Sequence, residues 1–336
     1  MKHVFGPVPS RRLGQSLGID PIPFKTCNWN CVYCQLGRTT PLTNIRRNYF
    51  PPEKIVDEVR AALESRQPGE IDWVTFVGSG EPTLHAGLGW MVLQVKGLTS
   101  IPVAVITNGS LLYRPEVRQE LLAADAVLPT LDAGNEELYR AINRPWPSLT
   151  FESLVKGLIA FRAAYTGKLW LEVMLVHGLN DTEPALAKLA ALVQQINPDE
   201  VHINLPDRPP AEPWVKPPDE ECLLRASALL GGMARVVYPA EGVFDLSGYA
   251  EVVDAIVGII TRHPMLQEDL LRSLDRWTPA QIRAALADLA ASGRARVILR
   301  YGRRFWTAAT GRYGEVQGKV PATQHRRCRR QGHKDR

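Results

Sequence analysis

Between Ile71 and Leu205, short apolar runs alternate with longer segments of helical period. The runs read DWVTFVG (72–78), IPVAVITNG (101–109), AVLPTLDA (126–133), KLWLEVMLV (168–176) and DEVHINLP (199–206). They are short, apolar and often β-branched, which is the pattern of strands buried on both faces. Helical spacing fills the intervals at 52–66, 85–98, 115–124, 135–142, 151–166 and 182–196. SLTFESL and YTG frame the fifth of these helices with cap and stop residues. With SLGIDPIP (16–23) in front, six strands follow in βα order, predicting an α/β fold with a parallel sheet under outer helices. Either an open doubly wound sheet or a partial barrel fits six such units, and in both the chemistry gathers at the strand C-termini.

Past Pro206 the pattern gives way to PDRPPAEPWVKPPDEE, too poor in donors to continue a helix or a central strand. A helix over 219–230 and a short strand over 233–238 are predicted to close a first domain spanning 1–245. A second unit, 249–310, offers EVVDAIVGIITRH, MLQEDLLRSL and TPAQIRAALADLAASG as helices, then ARVILRYG and RRFWTAA as strands. Three helices and a hairpin, with Thr278 capping the third helix and Pro279 at its first position, read as a small winged helix-turn-helix domain. The remaining 311–336 is basic and polar, the composition of a disordered tail.

Charge changes this picture little. The net charge is +5, and QHRRCRRQGHKDR near the C-terminus carries much of the excess, so the body is close to neutral. No run of about eighteen apolar residues could span a bilayer, and MKHVFGPVPSRRLG lacks the apolar core of a signal peptide. A cytoplasmic protein that does not enter the membrane is therefore expected.

Three of the five cysteines, Cys27, Cys31 and Cys34, stand within CNWNCVYC, directly after the first predicted strand. In a reducing compartment that crowding argues for metal or catalysis rather than disulfides. Thiolates suit zinc, copper(I) or iron–sulfur clusters. Structural zinc needs a fourth ligand, and neither Cys222 nor Cys328 brings a paired Cys or His with it. A cubane cluster held by three thiolates instead leaves one iron available to another molecule.

The spacing C-x3-C-x2-C, with aromatic Tyr33 before the last cysteine, resembles the radical S-adenosylmethionine (radical SAM) superfamily. The resemblance implies a partial (β/α)6 TIM-like barrel of parallel strands and a 4Fe–4S cluster on Cys27, Cys31 and Cys34. It further implies S-adenosylmethionine chelated to the fourth iron and cleaved by one electron, the 5'-deoxyadenosyl radical then abstracting hydrogen from substrate. The cofactor carries the difficult chemistry and the protein orients it. An external one-electron donor of flavodoxin or ferredoxin type is implied as a partner.

VGSGEPTLH (77–85), which ends the second predicted strand, is similar to the family's methionine-binding GGEP element, with Ser79 in place of the second glycine beside Gly78, Gly80 and Glu81. Its glycines would let backbone approach a ligand. ITNGS places Asn108 at the end of the next strand, and PTLDAGN places Thr130 and Asp132 at the following one, where the family offers polar groups to the ribose. Asp132 could instead cap the helix near Asn135. LVHGLND could pack on the adenine, while Asn204 and Arg208 could stand at the barrel mouth. Glu172, inside an apolar strand, needs either an ion pair or a substrate contact. His177 and His202 read as ordinary loop or core histidines.

GPVPSRRLG with SLGID, INRP and RPPAEPW resembles, over about 1–245, a bacterial and archaeal group related to wyosine tRNA-modifying synthases. Those synthases hold a second cluster on three further cysteines near the N-terminus; no cysteine precedes Cys27 in this sequence, so that cluster and its pyruvate chemistry are not expected from the resemblance. Arg11 and Arg12 in that stretch read as solvated charges, the usual fate of an arginine pair. The leading function is a radical SAM enzyme acting on an undefined substrate, with RNA or a protein brought by the winged helix. The alternative is an iron–sulfur redox sensor that binds nucleic acid without turnover. Arg283 is the only basic residue in mid-recognition-helix, whereas Arg294, Arg296, Arg300, Arg303 and Arg304 in the wing could meet phosphates.

Overall fold

A computed structural model describes residues 3–238, 244–246 and 249–315. Its principal sheet contains β1 (Val4–Ser10), β2 (Gly14–Ile19), β3 (Trp73–Phe76), β4 (Val103–Thr107), β5 (Ala126–Pro129), β6 (Lys168–Met174), β7 (Glu200–Asn204) and β8 (Ala234–Val236). The strands lie side by side in chain order. All neighbours from β2 to β8 are parallel, and only β1 runs antiparallel, as one half of a hairpin with β2. Sequential parallel pairing requires crossovers. These are α1 (Pro52–Glu64), α2 (Leu88–Leu98), α3 (Pro115–Leu121), α4 (Glu136–Ile142), α5 (Phe151–Ala164), α6 (Glu183–Ile196) and α7 (Glu220–Leu230).

The sheet is curled rather than flat. Arg12, in the β1–β2 turn, reaches Glu172 on β6 and Asn204 on β7. In a flat sheet β2 and β6 would lie about 19 Å apart, four steps of roughly 4.8 Å, far beyond one side chain. Alternation along the strands then sorts the side chains. Leu171 and Val173 face the outer core with Ile55, Val59, Leu158 and Leu189. Trp170 points the other way and packs inside with Leu13, Ala104, Ala126 and Leu128. Each helix buries the face its sequence period marks out, as α1 does with Ile55, Val56 and Val59. Thr150 caps α5 through a reciprocal bond with Ser153, as its sequence suggests.

A separate apolar cluster, including Ile256, Ile260, Leu270, Ile282 and Leu286, organises the C-terminal unit. It contains α8 (Val252–Arg262), β9 (Met265–Leu266), α9 (Gln267–Ser273), α10 (Pro279–Ala291), β10 (Ala295–Arg300) and β11 (Arg303–Ala308). Thr278 caps α10 with Gln281 completing a capping box.

Several expectations need correction. β1 had no sequence-based prediction because its glycine and prolines hide it, and it survives as the edge of the sheet, where a missing amide costs no ladder bond. Met265 and Leu266 do not start a helix; they add a short strand to β11. The predicted disordered tail begins too early, since Tyr313 Oη donates to Gln35 O at 2.6 Å and Gly314 N donates to Ala211 O at 2.8 Å. The rest of that tail, 316–336 with Cys328, lies outside the described residues. Arg300 is 5% exposed and donates to Pro210 O and Gly314 O, so it is unavailable to phosphates. Beside it, Tyr301 Oη donates to Pro206 O at 2.6 Å. The hairpin tip is thus docked on the proline-rich segment. Among the described residues no helix is long and apolar enough to cross a membrane.

Candidate functional site

The three clustered cysteines sit on the loop that leaves β2, and the loops after β3, β4 and β5 meet them. A cavity of about 170 Å³ is lined by Cys27, Cys31, Cys34 and Tyr33, by Gly78, Ser79, Gly80 and Glu81, and by Asn108 and Thr130. Ten of the eleven residues expected at the site therefore line one space; Asp132 is the exception.

The segment after β3 is fastened to the cysteine loop by backbone. Lys25 N donates to Ser79 O at 2.7 Å, and Glu81 N donates to Thr26 O at 2.9 Å. This pairing explains Gly80: a Cβ there would lie 1.9 Å from the Thr26 carbonyl oxygen. The glycine makes room for the neighbouring loop as much as for any ligand. Ser79 is explained too, since its hydroxyl donates to Asp20 Oδ2 at 2.6 Å and its amide donates to Oδ1 at 3.0 Å. It ties the end of β3 to the end of β2.

Glu81 is 1% exposed, and its oxygens accept from Thr83, Thr107 and the Asn108 amide. Burial raises its pKa, and these bonds oppose the rise. It organises three loops and directs Asn108, whose Nδ2 donates to Asn28 Oδ1 at 2.7 Å.

Asp132 is 1% exposed, and its oxygens are engaged within the protein. Tyr33 Oη and Asn143 Nδ2 both donate to Oδ2 at 2.6 Å, and Met174 N donates to Oδ1 at 2.7 Å. Burial pushes its carboxyl up to about 6 despite those donors. It anchors Tyr33 instead of facing the cavity, and Asn135 rather than Asp132 caps α4.

Other expectations fall elsewhere. Glu172 pairs with Arg12, and Arg11 pairs with Asp207 at 2.6 Å, so neither arginine is a free surface charge. Asn204 lies 3.5 Å from Arg12, and Arg208 donates to His263 Nδ1 at 2.5 Å. LVHGLND folds back on itself and does not line the cavity; Asn180 donates to Asp132 O and Met174 O. His177 bonds Asp181, His202 bonds Glu200, and Cys222 is buried at the start of α7.

The sequence reading missed Lys25, whose Nζ donates to Cys34 Sγ at 3.1 Å. Burial works against the ammonium, but Cys34 and Cys27 outweigh it and raise its pKa. It also missed Asp20, although a carboxylate ending the apolar SLGI was a signal, and Asn143, which approaches Cys31 Sγ at 3.7 Å. Burial pushes the Cys27 thiol up to about 12 and Cys31 well above its ordinary value, so the bare loop disfavours thiolates. A cationic cluster inverts that preference. Among the described residues no three His, Cys, Asp or Glu side chains converge on a point that one ion could occupy. Three cysteines lining one cavity are the soft donor type that an iron–sulfur cluster takes, so the residues present fit such a group.

Residues 22–190 match the profile described as Radical SAM superfamily. The chain is 38% identical over 280 residues to a UPF0026 protein of Methanocaldococcus jannaschii, covering 82% of this chain and 87% of that one. It is 46% identical over 202 residues to a protein named GTPase Obg from Brachyspira hyodysenteriae, covering 60% of this chain but only 29% of that one. A radical SAM methyltransferase structure from Sphaerobacter thermophilus aligns with TM-score 0.47 and 18% identity over 66% of each chain.

Proposed function

Because the chain belongs to the radical SAM superfamily, we propose that Cys27, Cys31 and Cys34 hold a 4Fe–4S cluster whose fourth iron accepts S-adenosylmethionine. The chain is a radical SAM enzyme. The observation that carries the cofactor reading is that the cysteines and the GSGEP segment line one cavity and are joined by the Lys25–Ser79 and Thr26–Glu81 backbone bonds. When bound, the cluster would supply the electron that breaks a carbon–sulfur bond of S-adenosylmethionine, leaving a 5'-deoxyadenosyl radical to take hydrogen from substrate.

The chain's own residues supply position. Gly78, Ser79 and Gly80 line the cavity and would meet the methionine end, Asn108 and Thr130 would meet the ribose, and Tyr33 is held against the cavity by Asp132. Lys25 offsets the negative charge of the thiolates. A flavodoxin- or ferredoxin-like protein would deliver the electron. The three helices and hairpin of the C-terminal unit read as a winged helix, but with its tip docked and Arg300 buried, phosphate recognition by that wing loses one of its five cations. A sensor without turnover would need none of the polar strand ends that line the cavity.

Anaerobic reconstitution with iron and sulfide, followed by reduction and addition of S-adenosylmethionine, tests the proposal. The expected product is 5'-deoxyadenosine, absent when Cys31 becomes Ala. Release unchanged in that variant would overturn it.

A further inference from the structure

A second cavity of about 150 Å³ adjoins the cofactor cavity, and Leu36, Val77, Gly78, Ser79 and Ile106 border both. The second cavity has an apolar floor that includes Leu13 and Phe5. Its charged lining comes from separate parts of the chain: Arg12 from the β1–β2 turn, Asp20 from the end of β2, and Arg262 and His263 from the end of α8. The C-terminal unit is therefore a wall of the barrel interior. Gln35 Nε2 fixes it there by donating to Arg262 O at 2.8 Å.

Three of the lining residues each carry a nitrogen buried without a hydrogen-bond partner: Arg12 Nε, Arg262 Nε and His263 Nε2. Arg262 Nε has only a 3.4 Å ionic contact with Asp20. Buried donors left unpaired are costly, so three of them on residues around one cavity call for an acceptor there. Among the lining residues Arg12 and Arg262 are the cations and Asp20 the one carboxylate, with Glu172 paired to Arg12 from β6. Burial, then the charges of Arg208, Arg262 and Arg11, hold His263 well below its ordinary pKa, so the imidazole is neutral and its Nε2 can donate.

We propose that this second cavity is the substrate chamber and that Arg12 and Arg262 clamp an anionic group of the substrate, a carboxylate or a phosphate, beside the cofactor. The assignment rests on the radical SAM reading of the adjoining cavity. A guanidinium presents several donors to such a group in a fixed fork. The volume is about half the low end of drug-sized pockets, roughly 300 Å³. It suits a small molecule or its reacting end, and excludes a nucleic-acid duplex.

Calorimetric titration of the full chain at constant ionic strength tests this, with inorganic phosphate in one arm and acetate in the other, before and after cluster reconstitution. One anion is expected to bind saturably at millimolar concentration or tighter, and the responding arm identifies the group. Arg262→Gln should weaken binding roughly tenfold or more, as loss of a charged hydrogen bond does. Arg262→Lys, which keeps the charge and is the milder change for folding, should fall between the two. Arg303→Gln, in an exposed pair with Glu268, should bind as the wild type does. No saturable binding of either anion, or binding unaffected in both Arg262 variants, would overturn the proposal. A chain that binds the anion but releases no 5'-deoxyadenosine would defeat the enzymatic reading and leave the anion site standing. One that cleaves S-adenosylmethionine but binds neither anion would defeat the anion site alone.

Discussion

On the cofactor side of the barrel the cysteine loop is joined to the strand ends by backbone amides and short polar side chains. On the opposite side the β1–β2 turn meets β6 and the segment after β7 through ion pairs. The Ser79–Asp20 bond spans 59 residues of chain. The Arg12–Glu172 and Arg11–Asp207 pairs span 160 and 196. The first side is rigid because neighbouring loops satisfy each other's backbone, and it tolerates little change in shape. The second is held by few, strongly coupled contacts, and it tolerates little change in charge.

The largest effect is expected on the ion-paired side. Arg12→Ala leaves Glu172, 8% exposed, without its cation, and should cost about 3–5 kcal/mol in denaturant unfolding. A loss below 1 kcal/mol would show that the pair does not close the barrel.

His202, on β7 of the same side and fully buried, gives a pH-dependent version of the test. Burial, partly opposed by Glu200, lowers its pKa to about 4. Neutral imidazole is thus favoured in the fold. Its contribution is fully present above the unfolded value near 6.5 and is lost as pH falls through the lowered folded value. His202→Gln should flatten this part of the stability profile; an unchanged slope would assign it to other groups.

Gly80→Ala probes the cofactor side. The new methyl would collide with the Thr26 carbonyl, so about 1–3 kcal/mol of stability should be lost, together with iron retained per chain after reconstitution. Stability lost with full iron binding would separate the loop's shape from its ligation. The smallest effect lies outside both sides. Thr278→Ala removes the α10 cap and should cost about 1 kcal/mol, with 5'-deoxyadenosine release unchanged.

This difference also sets what the sequence could reveal. The parallel strands and their helices were legible because apolar period is local, and the cofactor side was legible because Cys27, Gly80 and Asn108 each stand at a strand end that the period marks. β1 was not, since its prolines conceal an edge strand. Arg12 read as solvated because nothing within ten residues of it announces Glu172. Asp132 stands just past the end of β5 and was expected at the ribose or as a helix cap, whereas its partners Tyr33 and Asn143 come from two other segments. Arg300 read as a phosphate contact because a hairpin arginine has no local mark of burial; the docking surface is supplied by Pro210 and Gly314.

The central claim is that the three-cysteine loop leaves one iron open to S-adenosylmethionine. Electron–nuclear double resonance of the reduced, reconstituted protein with S-adenosylmethionine labelled at its amino nitrogen and carboxylate oxygen tests it most directly. Both labels are expected to couple to the cluster. A fully assembled cluster that shows neither coupling would contradict it.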